Sequence, residues 1–443
     1  MTDEWRRGGE GGKLPAIQWA KGVAQEKSLL GFSGGGDSAG RAFDGRAASF
    51  TRFYFSIMSN VRIGIIGMGN MGKYHAEYLL AGKVKRAQLT AVGSTSPGKL
   101  EGYKQKGVEV FGDAGALIRS GKVDAVLIAT PHPQHPAQGM AALEAGLHVI
   151  VEKPIAAHKA DAERLVACAA RHPALKFAAM FQMRAEPRYT KIRKLIQDGE
   201  LGQIVRVAWI ITDWFRSEAY YASGGWRATW KGEGGGVLIN QCLHQLDTLQ
   251  WLLGMPKSVR GFCQLGRFHN IEVDDNVTVY LEWPNRATGV FISSTGELPG
   301  TNRLEIAGTK GRVVLENNTL TFTRNEVPAD QWNQSSKIGF AKPDVWNVTI
   351  PFGNAENPHA TFMQNFVDAI LDGSALNCPG ADGLGSIELA NVMLYSSLIG
   401  QTVELPLDGA AYEKALAGLI AGSRLEKKVV EVSGEDFAAS FRR

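Results

Sequence analysis

The sequence predicts an α/β protein whose N-terminal half is a doubly wound parallel sheet and whose second half is rich in strands. Three observations point there. Short apolar, β-branched runs alternate with helical stretches from residue 61 onward; the first run leads into a glycine turn that opens a helix; and after residue 200 strand-like stretches follow one another. Alternating βα units build a parallel sheet with helices on its faces, whereas a later run of strands argues a separate layer. With 443 residues the chain exceeds the roughly 250–300 at which one core stops growing, so two domains are expected.

Residues 1–57 stand apart. They hold 11 of the 52 glycines, including Gly8-Gly9-Glu10-Gly11-Gly12 and Gly34-Gly35-Gly36, which interrupt any period. Little apolar burial offsets the entropy of ordering them. They read as a flexible leader or an artefact of cloning or of gene-start assignment, with an arm used in oligomer contacts as the alternative. Met58-Ser59-Asn60 runs straight into a strand, as a natural start would.

Val61-Arg62-Ile63-Gly64-Ile65-Ile66 has the look of a strand buried on both faces. Gly67-Met68-Gly69-Asn70-Met71-Gly72 follows, a G-x-G-x-x-G, and then a helix over 73–80. The first glycine permits a tight turn, the second a close approach of backbone to pyrophosphate, and the third close packing of helix on strand; the helix N-terminus faces the phosphates. Flanked in this way, the motif predicts a Rossmann dinucleotide site. The second strand, 88–92, runs into Gly93-Ser94-Thr95-Ser96-Pro97-Gly98-Lys99. An NAD-selecting site carries a carboxylate here for the ribose hydroxyls. The hydroxyls of Ser94, Thr95 and Ser96 and the ammonium of Lys99 accept a 2′-phosphate instead. NADP(H) is therefore favoured and NAD(H) stays open, with Lys99 as a merely solvated residue the plainer reading.

A further strand, 123–130, ends in Thr130-Pro131-His132-Pro133-Gln134-His135. Ligands of open α/β sheets bind beyond the carboxyl ends of the strands. Thr130, Pro131, His132 and His135 are expected to line the nicotinamide end, unless both histidines are exposed loop residues. A helix over 136–145 ends at Gly146, and a strand over 148–151 enters Glu152-Lys153-Pro154. Beyond residue 200, strands are expected at 204–212, 258–265, 276–283, 287–294, 303–307 and 312–316. Composition excludes several classes. At 44% hydrophobic and 21% charged the chain is an ordinary globular protein, and a net charge of +4 gives no footprint for nucleic acid. No apolar run is long enough to span a membrane. Cys168, Cys242, Cys263 and Cys378 lack the spacing of a zinc site or a disulfide framework, and a reducing cytoplasm fits.

The glycine turn, Ala129-Thr130-Pro131, the run Ala145-Gly146-Leu147-His148-Val149 into Glu152-Lys153-Pro154, and a later segment from Gly234-Gly235-Gly236 to His244-Gln245-Leu246-Asp247 occur in this order. Together they resemble the glucose–fructose oxidoreductase/inositol dehydrogenase/rhizopine-catabolism (Gfo/Idh/MocA) family over roughly residues 60–400. The resemblance implies a Rossmann domain over 58–182 and a C-terminal α+β domain over 183–443, built on a large, mainly antiparallel sheet. It also implies a homodimer or homotetramer formed through that sheet, and Lys153 as the acid/base residue, before a proline whose peptide bond is often cis.

Oxidising a carbinol moves a hydride to nicotinamide while a base takes the hydroxyl proton. A lysine does this once burial or a neighbouring positive charge lowers its pKa from about 10.4. A helix predicted over 237–253 puts Asn240 and His244 on one face. His244 is expected to share a proton with the substrate oxygen and Asn240 to hold the neighbouring hydroxyl, with Gly234–Gly236 letting backbone approach the ligand. Many relatives carry Asp where Asn240 stands, which assigns the proton work to Lys153 and His244. The plainer reading of His244 is a helix histidine paired with Asp247; no metal centre is expected. Arg184 is a candidate for substrate oxygens or for a structural carboxylate. Tyr221, Trp226 and Arg227 belong to an aromatic, glycine-rich loop, and similar Trp-Arg pairs in sugar reductases of the family sit near nicotinamide and substrate. His359 is a further substrate candidate. The expected activity is NAD(P)-dependent hydride transfer at a hydroxyl or carbonyl carbon of a sugar, cyclitol or glycoside. The alternatives are an NAD-dependent glycoside hydrolase working by transient oxidation and a non-catalytic dinucleotide sensor.

Overall fold

The computed structural model describes residues 60–430 except residue 355. The readings of residues 1–57 as a leader and of Met58 as a start lie outside these residues.

Six strands form the first sheet: β1 (Val61–Ile66), β2 (Ala87–Gly93), β3 (Glu109–Phe111), β4 (Ala125–Ile128), β5 (His148–Glu152) and β6 (Phe177–Met180). All pairs are parallel, in the order β3-β2-β1-β4-β5-β6. β1, β4 and β5 are apolar almost throughout because helices cover both faces of the sheet. The strand order reverses between β1 and β4, which opens a crevice at their carboxyl ends. One covering helix, Pro358–Asp372, comes from far along the chain and packs on β1, β6 and the helix Asn70–Leu80.

Nine strands form the second sheet: β7 (Ile204–Ile211), β8 (Ser258–Leu265), β9 (Asp274–Glu282), β10 (Thr288–Ser294), β11 (Asn302–Gly308), β12 (Gly311–Glu316), β13 (Thr319–Asn325), β14 (Val345–Ile350) and β15 (Val403–Glu404). Their order is β14-β13-β12-β11-β7-β10-β9-β8-β15, and only β7 and β10 run parallel. The chain therefore has the parallel sheet followed by a mixed, mostly antiparallel one that its sequence predicts. Strand alternation turns Trp209, Val279, Leu281, Phe291 and Leu304 inward. The helix Asp382–Ile399 lies on β8 and packs on the helix Leu243–Leu253. The opposite face leaves Phe262, Tyr280 and Val290 exposed.

Four strands escape the sequence pattern; β3 and β15 are only three and two residues long. β13 and β14 close the far edge of the sheet, and five of the six residues of β14 are exposed, so no core-facing alternation marks it. The helix predicted over 237–253 is also shorter than expected: it starts at Leu243. The amides of Gly236 and Leu238 donate to the Asp274 carboxylate and that of Val237 to the Asp274 carbonyl, so the start of this segment is fastened to β9 rather than opening a regular helix. Among the described residues no helix is long and apolar enough to cross a membrane.

Candidate active site

The crevice is built first by the turn after β1. Gly67 has φ of +96°, and a Cβ there would lie 2.6 Å from the Ala129 carbonyl oxygen at the end of β4. A Cβ on Gly72 would lie 2.0 Å from the Gly67 carbonyl oxygen, so helix and turn meet at a distance only glycine allows. Around Gly69, by contrast, nothing lies within 4 Å of the Cβ position, and no side chain caps the helix Asn70–Leu80 that begins there. Open space above uncapped helix amides fits a dinucleotide pyrophosphate. Met68 is buried beneath this turn, while Asn70 and Met71 form the first turn of the helix. At the end of β2, the Ser94 hydroxyl accepts from the Ser96 amide at 3.2 Å; Thr95 is exposed, as is Lys99, which ends a short 3-10 turn.

Lys153 stands at the carboxyl end of β5, its peptide bond to Pro154 cis. Its Nζ donates to the Asn240 carbonyl at 2.9 Å. Burial holds the Lys153 amine below the usual lysine range; Arg216 and Arg227 push the same way, while Glu152 and Glu233 oppose. Glu152 is buried and doubly held: Nε2 of His75 lies 2.6 Å from its Oε1, and the Lys153 amide donates to its Oε2. Nδ1 of His75 faces the Tyr78 hydroxyl at 2.6 Å, which completes a buried chain Tyr78–His75–Glu152. Burial alone would raise Glu152, but the His75 hydrogen bond together with the charges of His75, His359 and Lys153 outweighs it and leaves the carboxyl below its ordinary value. His359 packs edge-on against His75 and Tyr74, and burial pushes its pKa down to about 3.

His244 lies in the first turn of the helix Leu243–Leu253, with Phe181 edge-on against its ring. Nδ1 is buried and meets no protein partner; burial, aided by the charge of Lys153, keeps the ring neutral. Asn240 lies in the segment before this helix, so it does not share a helical face with His244 as expected. Its side-chain amide donates to Glu233 and its carbonyl holds Lys153. The sequence reading passed over Glu233 and His75; both carry an ordinary helical context, and only the fold brings them beside Glu152 and Lys153. Gly236 also differs from expectation, since its missing Cβ makes room for the Asp274 carbonyl and not for a ligand.

In the loop after β4, Thr130 bonds Gln138 through its hydroxyl, and Pro131 precedes a short turn. His132 is buried against Trp226 at 5.9 Å between ring centroids. His135 is not available to a cofactor: its ring nitrogens lie 2.7 Å from the carbonyls of Thr130 and Pro154, so it clamps two loops together. Trp226, 36% exposed, lies under the Arg227 guanidinium, which also covers Tyr220 and donates to its hydroxyl at 2.9 Å. Tyr221 points away from this group. It is buried against His269 and donates to Thr295, which corrects its place among substrate contacts.

Arg184 needs the same correction. Its side chain is 2% exposed; Nε and Nη2 each donate at 2.7 Å to the fully buried Asp247, and Nη1 donates to Asp382 at 2.6 Å. Its donors are spent on two carboxylates and the Asn377 carbonyl, so Arg184 serves structure, and Asp247 belongs to it and not to His244.

A parallel sheet with a glycine cradle at its switch point, beside a buried lysine, defines a dinucleotide-dependent oxidoreductase. Residues 61–180 match the oxidoreductase family with an NAD-binding Rossmann fold, and residues 189–314 match the GFO/IDH/MocA C-terminal domain. The chain belongs to the Gfo/Idh/MocA family. It is 31% identical to inositol 2-dehydrogenase of Rubrobacter xylanophilus over 78% of this chain and 95% of that one. It is 29% identical to human trans-1,2-dihydrobenzene-1,2-diol dehydrogenase over 58% and 75% of the two chains. The WlbA dehydrogenase from Bordetella pertussis, solved in complex with NADH and UDP-GlcNAcA, superposes with a TM-score of 0.66 at 25% identity, covering 79% of this chain and all of that one.

Removing the Arg184 side chain leaves Asp247 buried without a counter-charge. Arg184→Met is expected to destabilise the protein by about 3–5 kcal/mol, read as a lowered midpoint in denaturant, with cofactor affinity of the folded fraction unchanged.

Proposed function

We propose that this protein catalyses reversible hydride transfer between a nicotinamide dinucleotide and a CH–OH carbon of a sugar, cyclitol or glycoside. The observation that carries this reading is the Lys153 amine, buried at the carboxyl end of β5, depressed in pKa and anchored on Asn240 beside a neutral His244. The inositol and diol dehydrogenases among the relatives support the CH–OH chemistry. When bound, the dinucleotide supplies the acceptor for the hydride and its electron pair. Lys153 in its amine form takes the hydroxyl proton as the carbonyl forms, and returns it in the reverse direction. His244 offers a neutral ring to the same oxygen. Asn240 is a positioning residue through its carbonyl, and Glu233 holds the Asn240 amide. Trp226 and His132 form an aromatic wall at the end of β4, suited to a sugar's C–H face. We also infer a preference for NADP(H): beyond β2 the hydroxyl of Ser94 stands where a carboxylate would repel a 2′-phosphate. The exposed Phe262, Tyr280 and Val290 face supports a second copy of the chain as partner.

Lys153→Met is expected to lower turnover by at least about a hundredfold with dinucleotide binding kept; near-wild-type rates would overturn the mechanism. Net reduction of the dinucleotide, followed by absorbance, separates this reading from a hydrolase that regenerates its cofactor. Oxidation requires the free amine, so its kcat/KM rises with pH through an ionisation below the ordinary lysine value, and reduction falls through it. Ser94→Asp should weaken NADP binding and shift preference toward NAD; an unchanged ratio in competitive binding would remove the 2′-phosphate assignment.

A further inference from the structure

Near Lys153 two arginines form no ion pair with a carboxylate among the described residues. Arg216 is fixed through its backbone: its amide donates to the Thr295 carbonyl at 2.8 Å, and its carbonyl accepts from Nε2 of His269 at 2.8 Å. Its guanidinium lies 5.3 Å from the Trp214 ring and 5.0 Å from that of Tyr220. Nη1 turns back to the Phe215 carbonyl, but Nε is buried and donates to nothing. Arg227 covers the same Tyr220 ring at 4.6 Å. Among the described residues no carboxylate comes within the 4.0 Å of an ion pair with either guanidinium.

Two like charges against one ring repel, and an unpaired buried donor is costly. Glu233 lies close enough to Arg227 to feel its charge, but the carboxylates nearby spend their oxygens on other donors. Glu233 accepts from Asn240 with one oxygen and from the Ala228 amide with the other. Glu272 accepts from the Trp230 amide and the Ser423 hydroxyl, and Glu152 is held by His75. Lys427 adds a further positive charge, donating to the Arg227 carbonyl. The Tyr220 oxygen accepts from Arg227 and from Gln241 at 3.2 Å, which leaves its own hydrogen to donate outward. Gln241, which holds the Tyr220 hydroxyl, directly follows Asn240, whose carbonyl holds the Lys153 amine, so the group borders the reacting centre, and both arginines act on that amine. The dinucleotide's pyrophosphate, by contrast, fits the amides at Gly67–Gly72.

We propose that the molecule oxidised carries an anionic group, a carboxylate or a phosphate monoester, on its sugar or polyol frame, and that Arg216, Arg227 and the Tyr220 hydroxyl receive it. This rests on the dehydrogenase reading above and gives it a substrate class. Guanidinium pairs with carboxylate or phosphate are short and strong because donor and acceptor are both charged, so the anion supplies the missing partner of Nε.

The test is equilibrium binding to the NADP⁺-loaded protein, read by calorimetry, with glucose, glucuronate and glucose 6-phosphate as probes. At low salt one of the two anions is expected to bind at least tenfold more tightly than glucose, and which one does so distinguishes carboxylate from phosphate. The advantage should collapse in Arg216→Gln and at high ionic strength, survive in Arg216→Lys, and leave glucose binding within about twofold in all forms. Equal binding of the three probes, or an advantage indifferent to salt and to Arg216→Gln, would overturn the proposal. The ionic-strength series on the unaltered protein decides the matter even where a variant fails to fold. Preferential binding of an anion that is never oxidised would remove the dehydrogenase reading and leave the anion site standing. Oxidation of neutral polyols with no binding preference for either anion at low salt would do the reverse.

Discussion

The contact between the Lys153 ammonium and the Asn240 carbonyl joins segments 87 residues apart and ties the carboxyl end of the parallel sheet to a loop fastened on the other sheet. That loop is held by one buried carboxylate. Asp274, at the start of β9, accepts from the Gly236 amide at 2.7 Å and the Leu238 amide at 2.9 Å, and its own carbonyl accepts from Val237. Burial raises the Asp274 pKa to about 6, and the two amides work against that rise. A Cβ on Gly236 would come within 1.9 Å of the Asp274 carbonyl oxygen, so the loop reaches β9 only as glycine. Because these amides bond β9, the helix starts at Leu243, and the Asn240 carbonyl faces Lys153.

Much of the fold was legible in the sequence. Strands buried on both faces, such as β1 and β4, have no polar alternation to misread, and the glycine turn between β1 and its helix is dictated by steric contacts that a Cβ would violate. Edge strands were not legible: β14 meets solvent along nearly its whole length, so its residues answer to no core. The late start of the helix before Leu243 was hidden for a different reason. The sequence from Val237 is apolar enough for a helix, and its true partner, Asp274, lies 38 residues from Gly236.

The candidate site divides in the same way. Lys153 and His244 stand out by their motifs, since their neighbours in sequence are also their neighbours in the crevice. Arg184 and Tyr221 looked the same in sequence as Arg227 and Tyr220. What separates them is partnership, which sequence does not carry: Arg184 meets two carboxylates and Tyr221 meets Thr295, whereas Arg227 and Tyr220 meet each other. His75 and Glu233 were silent because each is one polar residue in a helix, given its role by a segment elsewhere in the chain.

The two arginines at Tyr220 also bear on the proton chemistry. The amine of Lys153 is depressed first by burial and only then by Arg216 and Arg227, with Glu152 and Glu233 opposing. An anion seated on the guanidiniums would offset their push, while the burial that dominates the Lys153 shift stays in place. The carboxylates vary less. Glu152 is locked by His75 and Glu233 by two donors, so neither is free to swing onto the ammonium and trap it charged. Among the described residues the Lys153 amine thus keeps a single direct hydrogen-bond partner, a neutral carbonyl. A carbonyl orients the nitrogen while stabilising its charged form far less than a carboxylate would, and that difference is what allows a lysine here to act as a base.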